Sequence, residues 1–185
     1  MTDLFINEIN TYTKIALENR DLARVQHWAA KGSNSVNDYV ALILQSRQYA
    51  IVAIVFSAFT LEAYINNYAA RKGLKNHLDS LSFINKWIEI PKLATGKEFP
   101  KGQQCYSLLE NLKRSRNELA HSKSKPLELK NQADVKKIGD DVYSLISSAE
   151  KAVETIFAVV KCLTEIDPEE KQYLSGTATE LLKKS

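Results

Sequence analysis

Residues 51–65, IVAIVFSAFTLEAYI, interrupt their apolar run only at Ser57, Thr60 and Glu62. They lie inside a longer helical stretch that reads from about Val36 to Arg71 and is stopped by Gly73. At about 100° per residue, such a run is apolar on nearly every side of a helix. A helix of that kind belongs in the centre of a bundle, and it needs at least three other helices around it. The expected fold is therefore all-α, an up-and-down helical bundle of four to five main helices. Composition agrees: 6 Gly and 4 Pro leave little punctuation for a many-turned β fold. A chain of 185 residues reads as one domain spanning 1–185, with a partly frayed tail over 168–185.

The other helices follow from periodicity. Phe5, Ile9, Tyr12 and Ala16 open a first helix, which continues or restarts through Leu22, Val25 and Ala29. Residues 31–35 break the pattern, with Ser35 as the N-cap of the central helix. Short helical pieces are expected over 74–80 and 82–88, followed by a connecting segment marked by Pro91, Gly96 and Pro100. A third long helix runs from Lys101 or Gly102 to His121 and ends before Pro126. The fourth carries Val135, Ile138, Val142, Ile146, Ala149, Val153, Ile156, Val160 and Leu163, each three or four residues after the last. Pro168 lies near its end.

The totals restrict the function only loosely. A net charge of +3 permits an anionic partner without demanding one. The first residues, MTDLFINEIN, lack the pattern of a signal peptide. The longest apolar stretch, 49–61, falls short of the ~20 residues that span a bilayer. Cys105 and Cys162 lack metal-site spacing and read as two buried thiols in a reducing cytosol. The expectation is a soluble cytoplasmic protein without membrane contact, metal or cofactor.

Chemistry concentrates at Arg116-Asn117-Glu118-Leu119-Ala120-His121. A permanent cation, a carboxamide and an imidazole stand within six residues. The apolar stripe of this helix is Cys105, Leu108, Leu109, Leu112, Leu119 and Ala120. Arg116, four after Leu112 and three before Leu119, projects along the middle of that stripe. There it would be desolvated against the core or a second subunit, which is costly without an anionic partner. The competing structural reading is an arginine satisfied by a buried carboxylate or by helix-end carbonyls. Glu62 and Asn66, four apart in the central helix, are supporting candidates that would hold the 116–121 segment in place.

On an unbroken helix Arg116 and His121 differ by about 140° and do not converge, whereas Asn117 and His121 share a face. Joint action by Arg116 and His121 needs the helix to end or bend near His121, or a second chain to complete the site. Lys113, Arg114, Lys123 and Lys125 flank the group. With Arg116 and against Glu118, they give residues 113–125 a charge of +4. Such a cluster can bind RNA phosphates without reading sequence; a solvated lysine-rich loop is the plainer alternative.

Arg116-Asn117 followed by His121 resembles the Arg-polar-x3-His form of the Arg-x4–6-His motif of HEPN domains (higher eukaryotes and prokaryotes nucleotide-binding). Residues 61–66, Leu-Glu-Ala-Tyr-Ile-Asn in the central helix, are similar to a segment of several HEPN-like bacterial families, as are residues 87–96. The resemblance spans roughly residues 50–125. Arg20 with His27 and Arg71 with His77 also meet the spacing. The 116–121 copy is preferred for its Asn, its basic flank and its place after the central helix; His27 and His77 read as surface or capping residues.

The resemblance implies a metal-independent endoribonuclease that works as a homodimer, in defence, stress or toxin–antitoxin roles. Arg116 would stabilise the charged phosphorane, Asn117 would orient the phosphate or the imidazole, and His121 would be the acid or base. The RNA 2′-hydroxyl would attack its own phosphate and leave a 2′,3′-cyclic end. Neutral-range histidine and fork-shaped arginine suit those roles. The alternative within the family is a non-catalytic module that binds nucleotide or RNA, or dimerises. One departure stands out. HEPN toxins paired with a minimal nucleotidyltransferase antitoxin carry a tyrosine two residues after the histidine, and Lys123 stands there. Association with another antitoxin or regulatory protein stays open.

Overall fold

The computed structural model describes residues 2–121 and 132–173. Among the described residues every regular element is helical: α1 (Thr2–Lys31), α2 (Val36–Arg71), α3 (Phe83–Thr95), α4 (Gln104–His121) and α5 (Gln132–Ile166), with 3₁₀ turns at Lys75–His77 and Pro168–Tyr173. α1 runs unbroken through the point where a restart was open. Ser35 caps α2 by accepting from the Asp38 amide at 3.4 Å. After α2 the chain turns through Gly73 at φ 73, a left-handed conformation that glycine adopts without strain.

Five contacts set the helix directions. The Ser46 hydroxyl donates to the Ala23 carbonyl at 2.7 Å, and Tyr12 packs edge-on against Phe56, so α1 and α2 are antiparallel. Tyr39 sits against Gly139 at one end of α2 and the Tyr68 hydroxyl donates to Asp167 at the other, so α5 runs alongside α2 in the same direction. Cys105 joins Cys162 and makes α4 antiparallel to α5. The four long helices thus alternate in direction along the chain. We call the end holding Tyr68 and Cys105 the base and the end holding Tyr39 and His121 the head.

The core is one continuous cluster to which α2 contributes Ile43, Ile54, Leu61 and Ile65, all at 0% exposure. α1, α3, α4 and α5 all pack on α2, as an all-round apolar helix requires. The enclosure is incomplete. Leu44 and Phe59 stay 38% and 39% exposed, and Ile51, Val52 and Val55 are half-buried beside them. By length and composition α2 could also cross a membrane, which the shorter apolar run 49–61 did not suggest.

Two expectations are corrected here. The segment around Pro91 is not a connection: α3 continues through it to Thr95. Burial of Trp87, Ile90 and the Pro91 ring against the core outweighs the one hydrogen bond that proline removes. The cysteines are buried, at 3% and 8% exposure, but they are bonded to each other rather than free thiols. Antiparallel packing of α4 on α5 brings two residues 57 apart in sequence to the same level.

Candidate functional site

Residues one helical turn apart share a face, so positions 113, 114, 117 and 121 form a single polar stripe on α4. That stripe opens on a cleft of about 720 Å³ between α4 and the start of α3. Lys113, Arg114, Asn117 and His121 line it from α4, and Ser82, the N-cap of α3, and Asn85 of its first turn line it from the other side. Arg114 donates to Asn111 at 2.8 Å, while Lys113, Asn117 and His121 have no side-chain partner among the described residues. Glu110 and Glu118 line the same cleft. Two cations therefore face two carboxylates, and the cleft becomes net positive when His121 is protonated. It can hold a phosphate against Lys113 and Arg114, offer hydrogen bonds from Asn85 and Asn117, and move a proton at His121.

Arg116 lies outside this cleft. α4 is continuous to His121, so the two side chains leave the helix about 140° apart, and one protomer does not bring them together. The expectation of a desolvated Arg116 is also corrected. The buried stripe of α4 ends at Leu112; Leu119 is half-buried and Ala120 exposed. Arg116 is itself only half-buried, and it makes no ion pair among the described residues. In the last two turns of α4 only Leu119 packs against the core, and only partly, so the apolar stripe there is left half covered. Lys123 and Lys125, the remaining members of the basic flank, lie outside the described residues.

Glu62 pairs with Lys86 of α3 at 3.2 Å. The α2–α5 and α4–α5 contacts put Glu62 and Asn66 level with the start of α4, away from 116–121. Glu62 instead ties down α3, whose first turn is one wall of the cleft. Asn66 keeps a buried Oδ1 without a hydrogen-bond partner. Of the other histidines, His77 is exposed, as expected. His27 is not a surface residue: it is 5% exposed, with both ring nitrogens buried and unpartnered. Desolvation, and then the nearby Lys31 charge, lower its pKa from the ordinary histidine value.

Sequence reasoning missed the densest polar cluster, at the base. The Tyr68 hydroxyl donates to Asp167 at 3.0 Å and the Tyr64 hydroxyl to Glu170 at 3.4 Å. Arg71 pairs with Glu170 and Asn67, and Lys72 with Asp167 at 2.7 Å and Glu169 at 3.0 Å. Burial pushes the Glu170 carboxyl above its usual range despite the opposing Arg71 charge. Burial would raise Asp167 too, but hydrogen bonds from Lys72 and Tyr68 hold it below the usual value. Both tyrosines are raised, chiefly by burial. The sequence carried a signal, Arg71-Lys72 ending one apolar helix and an acidic run after another, but only the fold pairs them. Among the described residues no three His, Cys, Asp or Glu side chains converge as a metal site would require.

Comparison with protein-family models, with curated proteins and with solved structures finds no match to this chain.

Proposed function

We propose that this chain is a HEPN-like protein that binds single-stranded RNA in the α3–α4 cleft, and that cleavage of the strand requires a homodimer. The observation that carries the reading is that Asn117 and His121 share one open cleft with Lys113 and Arg114 while Arg116 stands off it. Binding then needs one protomer and chemistry needs two. In a two-fold dimer each chain gives the other the same residues it receives. Arg116 of one protomer beside His121 of its partner would restore the pair that α4 separates. The half-buried Arg116, without an ion-pair partner among the described residues, is available for that role. His121 would transfer the proton, Arg116 would hold the developing phosphorane charge, and Asn117 would orient the phosphate. The reading places the protein with RNA in the cytoplasm. An antitoxin or other regulatory partner would act by covering the cleft.

Titration of single-stranded RNA into the purified chain tests the binding half. Lys113→Ala with Arg114→Ala should weaken binding at every salt concentration and lower the slope of affinity against salt by about one per lost phosphate contact. No RNA binding by the wild type would end the reading. Incubation in EDTA tests the catalytic half. His121→Ala and Arg116→Ala should each be inactive, and mixing the two chains should restore cleavage through one intact composite site. Binding without any cleavage would leave the non-catalytic module.

A further inference from the structure

At the head of the bundle, on the far flank of α5 from the cleft, lie two large aromatic rings that the fold does not bury. Trp28 of α1 is 64% exposed and Tyr143 of α5 is 60% exposed. The Lys31 ammonium stands 4.6 Å from the centre of the Trp28 ring and 5.7 Å from that of Tyr143. His27 lies buried beneath, its ring 5.6 Å from Tyr143. Val25, 58% exposed, borders the pair on α1. A tryptophan with only a solvent role forfeits the large apolar burial that its side chain offers elsewhere.

Helix registers relate this patch to the cleft. Arg24 meets Glu150, so Trp28, four residues further along α1, reaches the level of Ile146 on the antiparallel α5. Cys105 meets Cys162, so His121, sixteen residues further along α4, reaches the same level. Tyr143 and Glu150 sit on the flank of α5 opposite Ser148, Ala152 and Thr155, which border α4. The cleft opens on the side of α4 turned away from α5, so the rings and the cleft are at one height with both helices between them, about 20 Å apart or two helix diameters.

We propose that Trp28 and Tyr143 are a stacking platform for unpaired bases of the single-stranded RNA whose backbone occupies the α3–α4 cleft. The inference rests on the RNA-binding reading and adds a second, separate contact surface to it. Sequence-tolerant binding of single strands combines cations for the backbone with aromatic faces for the bases. Both are present here: Lys31 can swing from the rings to a phosphate without moving either helix. A protein-docking hot spot would need a broader apolar surround than two rings and one valine. The ammonium held between the rings also favours an anionic occupant over an apolar one.

Tryptophan emission reads the platform directly, because the other tryptophan, Trp87, is 0% exposed. Short single-stranded oligoadenylate should quench the Trp28 emission, and an abasic phosphodiester of the same length should not. Trp28→Ala with Tyr143→Ala should lower affinity for oligoadenylate about tenfold or more, leave abasic affinity unchanged and keep the wild-type melting temperature. Trp28→Phe should retain most of the binding. Unchanged oligoadenylate affinity in the double variant overturns the proposal. So does an equal loss for the abasic strand, which would indicate charge or misfolding. Unchanged RNA binding with altered sedimentation also overturns it, and would assign the rings to a protein contact. If the wild type binds no RNA, the cleft reading falls as well. If only the Lys113 and Arg114 variants lose affinity, the platform alone falls.

Discussion

The base and the head of this bundle treat polar side chains in opposite ways. At the base, Tyr64, Tyr68, Arg71 and Lys72 close on Asp167 and Glu170, and Cys105 is bonded to Cys162 nearby. Glu170 is 0% exposed, and a charge so far from water persists only when it is paired. At the head, Lys113, Asn117 and His121 face an open cleft unpartnered among the described residues, and two aromatic rings stand in solvent. The pairing that secures the base would be wasted at a binding site, because a donor already satisfied within the chain has little to gain from a ligand. On the proposed RNA-binding reading, the contrast gives stability to one end and recognition to the other.

That contrast can be broken by substitutions at one end that disturb the other. The largest effect is expected for Arg71→Ala, which strands the Glu170 carboxylate in the core. Loss of one partner from a buried pair costs about 3–5 kcal/mol, read as a lower denaturant midpoint. RNA affinity measured below the new midpoint should be unchanged. Loss of less than about 1 kcal/mol would place Glu170 outside the stabilising network. Next is Cys105→Ser with Cys162→Ser under oxidising conditions, where removing the cross-link should cost about 2–4 kcal/mol. A mass-spectrometric finding of two free thiols in the native protein would remove this prediction and with it part of the contrast.

The smallest effect concerns pH. His27 is buried with its pKa below the ordinary histidine value. Its contribution to stability is complete above the unfolded value of about 6.5 and is lost as pH falls through the lower folded value. The melting temperature should therefore decline on acidification from neutrality, and His27→Phe should flatten that decline while leaving RNA binding at neutral pH intact. An unchanged pH profile in the variant would move the acid sensitivity elsewhere.

Much of the architecture was legible beforehand. The central helix begins at Val36 and ends at Arg71 as the apolar run and Gly73 indicated, and the three-four spacing of α5 marked its buried face. Both rest on periodicity, a local property. α3 was misjudged because Pro91 is a local breaker whose cost only burial could offset. The candidate site was half legible. The i, i+4 relation of Asn117 and His121 follows from helix geometry, and both do line the cleft. That Arg116 is left outside it, half-buried and not desolvated, depends on where the buried face of α4 stops, and that face stops after Leu112.

The sequence by itself determined which segments coil and which stripe of each helix is apolar, because the helical repeat maps residue spacing onto direction. Tertiary structure alone decided which distant residues meet: Arg71 with Glu170, Cys105 with Cys162, His27 and Lys31 with Tyr143, and the walls of the cleft. Those meetings depend on the relative direction and sliding position of packed helices, and neither is encoded in the periodicity of any one of them.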